Sequence, residues 1–298
     1  MDSQPSHITE DEAALYDRQI RLWGLEAQQQ MRNSSILISG IRGLSNEICK
    51  NLVLAGVGSI TIIDHNVVAI EDLGAQFLIT EQDVGKNRAL ASADRVRHLN
   101  PRVVVKTDTN DIREKPEEFF MNYDLICLTD SDLDTMVGLD PWAFFIIIRV
   151  RKTPKPNKDE PEIERIMKCE EYVSLEAALS KNDWNQIPEK KLKKVSYVLW
   201  GVLILWKFQQ EENRLPINNE DDIRKLKSLR DSLITSNGIK VSTISDEFLV
   251  MLSLNARAEL SPVCAIMGGL LAQDILNALS RRELPINNLF IYNGHVGK

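Results

Sequence analysis

The chain has 298 residues and a net charge of −7, with 36 lysines and arginines against 43 aspartates and glutamates. That length holds one large or two modest domains with a substantial core, and the acidic balance argues against a nucleic-acid binder, which would show a basic face. The opening residues are polar and acidic, unlike a secretory leader, and the longest apolar run, Val195 to Trp206, is too short to span a bilayer.

In chain order, Thr9-Glu-Asp-Glu12 is a capping box that starts a helix. The helix leads into Tyr16-Asp-Arg-Gln-Ile-Arg-Leu-Trp-Gly24, where Arg18 and Arg21 interrupt an apolar pattern and Gly24 is a break. By composition alone, two arginines on an amphipathic helix read as a solvated face. A second helical piece covers Leu25 to Arg32.

Ile36 to Ile38 is a short apolar run ending in a glycine turn. A helical stretch follows with Ile48, Leu52 and Val53 on one face; Gly56 and Gly58 stop it, and Ile60 to Ile63 leads to Asp64. This is a strand–turn–helix–strand unit, the nucleotide-binding half of a Rossmann-like sheet, with an acidic residue about 20 positions past the turn where a ribose carboxylate is expected. The turn itself is degenerate. Gly-x-Gly-x-x-Gly exposes backbone to a phosphate at the helix N-terminus, but the three positions here are Gly40, Arg42 and Ser45, with Gly43 beside them. Arg42 puts a long side chain where bare backbone is needed.

A helix is expected from about Lys86 to Leu99, a third strand over Val103 to Lys106, a short helix over Glu117 to Met121 after Pro116, and a fourth strand over Asp124 to Thr129. This alternation predicts an α/β fold with a doubly wound, mainly parallel sheet. Trp142 to Ile148 is a strongly apolar run, and the charged, proline-rich segment Lys152 to Pro161 reads as a disordered linker. The second half reads as mostly helical: Glu189 to Glu212, Asp221 to Ser236 with Gly238 as its stop, Ser245 to Leu254, and a last helix that Ser261 caps and Pro262 begins. Gly268-Gly269 would permit close packing, and Asn288 to Tyr292 is expected to be a closing strand. Lys190, Lys191, Lys193 and Lys194 read as a solvated helix face.

Four cysteines, Cys49, Cys127, Cys169 and Cys264, lie far apart without a Cys-x-x-Cys, so neither a zinc site nor a disulfide framework is indicated. Cys49, Cys127 and Cys264 fall in apolar patterns and read as core; Cys169 sits among charges, but exposure alone does not activate a thiol.

Taken together, the motifs resemble the ubiquitin-like-modifier activating enzymes, a ThiF/MoeB-like family, and within it the smaller, non-catalytic subunit of the heterodimer that activates SUMO. Four segments carry the likeness: Tyr16 to Gly24; Lys50 to Gly56 with Ile60 to Asp64; Gly74-Ala-Gln-Phe-Leu78 with Val84-Gly85-Lys-Asn-Arg88-Ala; and Ser261 to Gly269 with the helix that follows and Asn288 to Tyr292. They cover about two-thirds of the chain. The resemblance implies one pseudo-adenylation domain over 1–298, with an insert at about 135–169 that matches poorly and reads as disordered.

In such enzymes one half adenylates the modifier's C-terminus with ATP and passes the acyl group to a cysteine as a thioester. The other half has lost its nucleotide ligands, and this chain resembles that second half. Gly74-Ala75-Gln76-Phe77 stands where the active half has Asn-Arg-Gln-Phe, Arg88 where it has an ATP-binding lysine, and Arg42 intrudes on the glycine loop. The positions Gly40, Arg42, Gly43, Ser45, Asp64, Ala75 and Arg88 are therefore expected to be degenerate, with ATP and Mg2+ bound by the partner and no metal held here. Arg18 is expected to reach, in trans, the ATP phosphates in the partner's site. The implied partners are the catalytic SUMO-activating subunit, in an obligate heterodimer, and SUMO through the complex. The implied location is nuclear, compatible with a cytoplasmic pool. Two alternatives stand beside this reading. A self-sufficient activator of the bacterial sulfur-carrier type would carry paired Cys-x-x-Cys ligands and an arginine in the 74–77 row. A non-catalytic scaffold subunit would differ only at Arg18.

Overall fold

A computed structural model describes residues 7–132, 134–136, 174, 177, 184, 187, 195–237, 244–281, 283, 285–286 and 290–294. The expectations for Trp142 to Ile148, the linker, Cys169, the four lysines and Gly238 lie outside the described residues, as does all of the 135–169 segment but its first two residues.

Three helices open the chain: α1 (Glu10–Leu15), α2 (Asp17–Trp23) and α3 (Leu25–Arg32). The capping box forms as read: the Glu12 amide donates to Thr9 Oγ1 at 3.3 Å and the Thr9 amide to Glu12 Oε2 at 3.0 Å. Gly24, at φ +91°, is the break between α2 and α3.

Four parallel strands follow, in the order β3-β2-β1-β4: β1 (Ser35–Ser39), β2 (Ser59–Ile63), β3 (Val104–Asp108) and β4 (Leu125–Leu128). Helices α4 (Gly43–Ala55), α5 (Arg88–Leu99) and α6 (Glu117–Phe120) lie between them. The period-2 alternation of a strand divides its apolar residues between the two faces. Ile36, Ile38, Ile60, Ile62, Leu125 and Cys127 join the core under α4 and α5, whereas Leu37, Ile63, Ile126 and Leu128 pack on the opposite face with Phe120 and Ile112. Both faces are buried, as a doubly wound sheet requires. The third strand is longer than the sequence pattern indicated and starts one residue later, because its pairing with β2 runs on through Ile63 and Asp108.

The helical half comprises α7 (Tyr197–Glu212), α8 (Glu220–Asn237), α9 (Asp246–Asn255) and α10 (Ser261–Ser280). Trp200, Ile204, Phe208, Leu226, Ile234 and Leu249 form a separate core among α7, α8 and α9. Helix α10 instead returns to the first half, where Leu271, Ala272, Ile275 and Leu276 enter the sheet core with Met31 of α3 and Leu52 of α4. A β-carbon on Gly268 would stand 2.4 Å from Glu47 Cβ, so glycine there lets α10 lie against α4, while the neighbouring Gly269 faces open space. By length and composition α10 could cross a membrane, but half of it is buried inside the fold and it carries the buried Asp274, as in a core helix.

Two expectations are corrected. The cap of α10 is Leu260, with no side-chain cap bond, and Ser261 is already helical, so proline occupies the second position of the helix. Phe290, Ile291 and Tyr292 belong to no strand; Asn288 and Leu289 lie outside the described residues.

Candidate functional site

The C-terminal edge of a parallel sheet, beside the β1–α4 turn, is where this architecture places ligands. Gly40 opens the turn at φ +81°, and a β-carbon there would stand 2.5 Å from Asp130 Cβ, just beyond β4. Glycine is required on both counts. A cavity of about 130 Å3 adjoins the turn, lined by Ser39, Gly40, Asp64, Asn66, Asn110 and Asp130 among others. In its wall Asp111 pairs with Arg113, whose hydrogen bond outweighs burial and holds the Asp111 carboxyl down at about 2.

The polar groups that would meet a nucleotide at this edge are engaged within the chain. Asp64 Oδ2 accepts the Ile41 amide at 2.9 Å, and its Oδ1 accepts from the Asn66 amide and side chain at 2.9 and 3.1 Å. The carboxylate expected for a ribose therefore braces the glycine turn. The Arg42 amide donates to Ser45 Oγ at 2.8 Å. The Arg42 guanidinium lies among three carboxylates, 3.4 Å from Asp130, 3.5 Å from Glu259 and 3.6 Å from Asp72. Burial would lower the Arg42 pKa, but Asp130, Glu259 and Asp72 together raise it above the ordinary arginine value.

Arg88, at the start of α5, makes a two-pronged bond to Asp72, with Nε at 2.8 Å and Nη2 at 3.2 Å. Its Nη1 is 3.5 Å from Asp130. The first amide of α4, that of Gly43, donates to both oxygens of Glu259 at 3.2 Å. Ala75 is buried and sits 3.0 Å from where a Gly43 β-carbon would be, which leaves no room for a larger group.

All seven positions expected to be degenerate thus converge on this turn and its surroundings. Sequence reasoning missed Asp72, Asp130 and Glu259. Asp130 carried a signal, since an acidic residue just past a parallel strand lies at the ligand-facing edge. Glu259 carried none, because it is 216 positions from its partner Gly43. The residues do not fit a bound ATP: two guanidiniums face four carboxylates, and the turn's first helical amide is occupied. Among the described residues no group of three His, Cys, Asp or Glu side chains is arranged for a metal ion.

Arg18 lies apart from this network, on α2. It is exposed and makes no ion pair or side-chain hydrogen bond among the described residues. Its neighbour Arg21 pairs with Asp17 one turn back, Nε to Oδ2 at 2.9 Å. Cys49 and Cys127 are fully buried, and burial pushes both thiols up to about 12; Cys264 is buried and raised by the same cause.

The profile of the ThiF family matches residues 16–148. Proteins named SUMO-activating enzyme subunit 1 from Rattus norvegicus and Homo sapiens are each 37% identical to the chain over 331 positions, covering 97% of it and 93% and 94% of themselves. The Danio rerio protein of that name is 33% identical over 338 positions, covering 100% of the chain and 96% of itself. Among solved structures, E. coli tRNA N6-threonylcarbamoyladenosine dehydratase TcdA in complex with ATP is 23% identical. It covers 44% of this chain and 57% of its own, with a TM-score of 0.39.

Proposed function

The chain belongs to the SUMO-activating enzyme subunit 1 family, with a role in SUMO activation, and on that premise we propose that it is the half of the heterodimer that holds no nucleotide. ATP and Mg2+ are bound by the catalytic partner subunit, which adenylates the SUMO C-terminus and takes the acyl group as a thioester. This chain supports that partner and lends it Arg18. Residues 1–298 act as one pseudo-adenylation unit, because the last helix, α10, packs into the N-terminal core. A nuclear location belongs to the same reading.

The observation that carries the proposal is the contrast between the arginines. Arg42 and Arg88 are consumed by carboxylates of their own chain, whereas Arg18 is exposed and unengaged among the described residues. Adenylation expels pyrophosphate, a highly charged leaving group, and a fixed guanidinium can hold its oxygens as charge develops. A charge-assisted hydrogen bond of this kind contributes about 1.5–3 kcal/mol, roughly 10–150-fold in rate.

The test mixes the chain with a SUMO-pathway catalytic subunit, SUMO and ATP, and measures thioester formation with the chain alone as control. Activity is expected only in the mixture, and Arg18→Ala is expected to slow it by about 10–100-fold while co-elution with the partner is unchanged. Thioester or adenylate formed by the chain alone would overturn the half-enzyme reading. A normal rate with Arg18→Ala would reduce the chain to a scaffold.

A further inference from the structure

A working glycine turn offers its first helical amides, and the positive end of the helix, to a phosphate. Here both features are present and already satisfied. The Gly43 amide, first in the 13-residue α4, points at both carboxylate oxygens of Glu259, 3.2 Å from each. Arg42 Nε stands 3.5 Å from Glu259 Oε2. Glu259 immediately precedes Leu260, the cap of α10. The first turn of α10 is pressed onto the first turn of α4, since Cys264 Sγ lies 3.1 Å from where a Gly43 β-carbon would be.

We propose that Glu259 is a resident anion, a side-chain carboxylate that takes the phosphate position of the glycine turn, fastens α10 to α4, and keeps polyphosphates out. The charges around it support exclusion. Arg42 and Arg88 are matched against Asp64, Asp72, Asp130 and Glu259, so a polyphosphate would meet a site already two charges negative. The contact also gives Arg42 a purpose: the intruding side chain sets a positive charge 3.5 Å from Glu259 rather than being a defect to be tolerated. This inference rests on the reading that the chain holds no nucleotide of its own.

The test uses the full chain and its Glu259→Ala variant, with inorganic pyrophosphate as the probe. Thermal unfolding is followed with and without sodium pyrophosphate at an ionic strength held constant with sodium chloride, and amide hydrogen exchange is read at Gly43. Glu259→Ala is expected to lower the Tm and to speed exchange at Gly43 by at least about tenfold, because the amide loses its acceptor. Pyrophosphate should restore most of the lost Tm in the variant by occupying the vacated position, and leave the unaltered chain unchanged. Glu259→Gln keeps an acceptor but not the charge, and should fall between the two.

Equal stabilisation of both proteins by pyrophosphate would overturn the proposal, as would unchanged Gly43 exchange in Glu259→Ala, or a folded variant with no restoration. Should the variants not fold, the unaltered chain still decides: Gly43 exchange that is slow and insensitive to pyrophosphate supports the resident anion, and exchange slowed further by pyrophosphate refutes it. ATP binding by the unaltered chain would sink the parent reading. Absence of ATP binding together with no restoration would sink this inference alone.

Discussion

The resemblance expects Arg88 in place of a nucleotide-binding lysine, whereas its geometry is that of a buried structural cation, and the two roles predict different losses. Its guanidinium grips Asp72 through Nε at 2.8 Å and Nη2 at 3.2 Å, and the Asp72 side chain is only 1% exposed. Removing the guanidinium leaves that carboxylate with the Ala69 amide at 2.9 Å and Arg42 Nε at 3.6 Å. Breaking a buried pair from one side costs about 3–5 kcal/mol. The surviving partners of Asp72 put Arg88→Ala near the lower end. For a chain of this size the loss corresponds to a Tm lowered by roughly 5–8 °C. Urea and thermal unfolding of the purified chain measure it. Arg88→Lys keeps the charge without the two-pronged geometry and should recover part of the loss. Thioester formation per folded heterodimer should be unchanged in Arg88→Ala. A loss of stability below about 1 kcal/mol would refute the structural assignment, and so would a stable variant whose heterodimer fails to adenylate SUMO.

Two further outcomes follow from packing and burial. Gly268→Ala should destabilise the isolated chain by about 1–3 kcal/mol through overpacking, because its β-carbon would stand 2.4 Å from Glu47 Cβ and 3.3 Å from two α4 backbone atoms. Gly269→Ala, in open space, should instead gain about 0.5–1 kcal/mol from helix propensity; chemical denaturation of the pair reads both signs. Cys49 and Cys127, with thiols raised to about 12 by burial, favour the folded state fully below the unfolded thiol value of about 8.5. That contribution is lost progressively as pH rises from there toward 12. Stability should therefore fall on the alkaline side in unfolding titrations, and a thiol-specific reagent should label both cysteines only at the rate of unfolding. Fast labelling of either in the native chain would show that the burial is wrong.

The sheet was legible because its signals are local. Ile36 to Ile38 and Ile60 to Ile63 alternate between two buried faces, and Gly40 marks the turn between strand and helix. The capping box at Thr9 was readable for the same reason: its members are three residues apart. The end of the chain was not. Phe290 to Tyr292 has strand-like composition but belongs to no strand, and strand formation depends on a neighbour to pair with rather than on the residues themselves. At the site, Arg42 was recognisable as an intruder, but not what it touches. Asp130 is 88 positions away, and Glu259 joins the same turn from 216 positions beyond Gly43. Asp64 stands where the pattern places it, and its carboxylate accepts the Ile41 and Asn66 amides. An acid at a strand end is visible in sequence, while the Ile41 amide that occupies it exists only once the turn has folded.

The fate of each cation supports the proposed division of labour between this chain and a catalytic partner. A guanidinium beside buried carboxylates is neutralised by its own fold and has little left to offer a ligand. That describes Arg42 and Arg88. On α2 the spacing works the other way. Arg21 has Asp17 one helical turn before it and is paired, whereas Arg18 is the second residue of α2, just after the break at Tyr16, and the residues three and four after it on that helix are Arg21 and Leu22. No carboxylate lies within helical reach, so the charge stays exposed, and repulsion from Arg21 raises the benefit of meeting an anion from outside the chain. An anion-seeking arginine on a subunit whose own phosphate position we propose to be closed is what a half-site needs if its ligand sits in the partner. Introducing a carboxylate one turn after Arg18 on the same helix, as Arg21→Glu, should place a competitor within its reach and slow SUMO adenylation without disturbing the pairing of the subunits. The substitution adds negative charge far from the glycine turn, so an unaltered rate at saturating ATP would argue that Arg18 acts on nothing the partner binds.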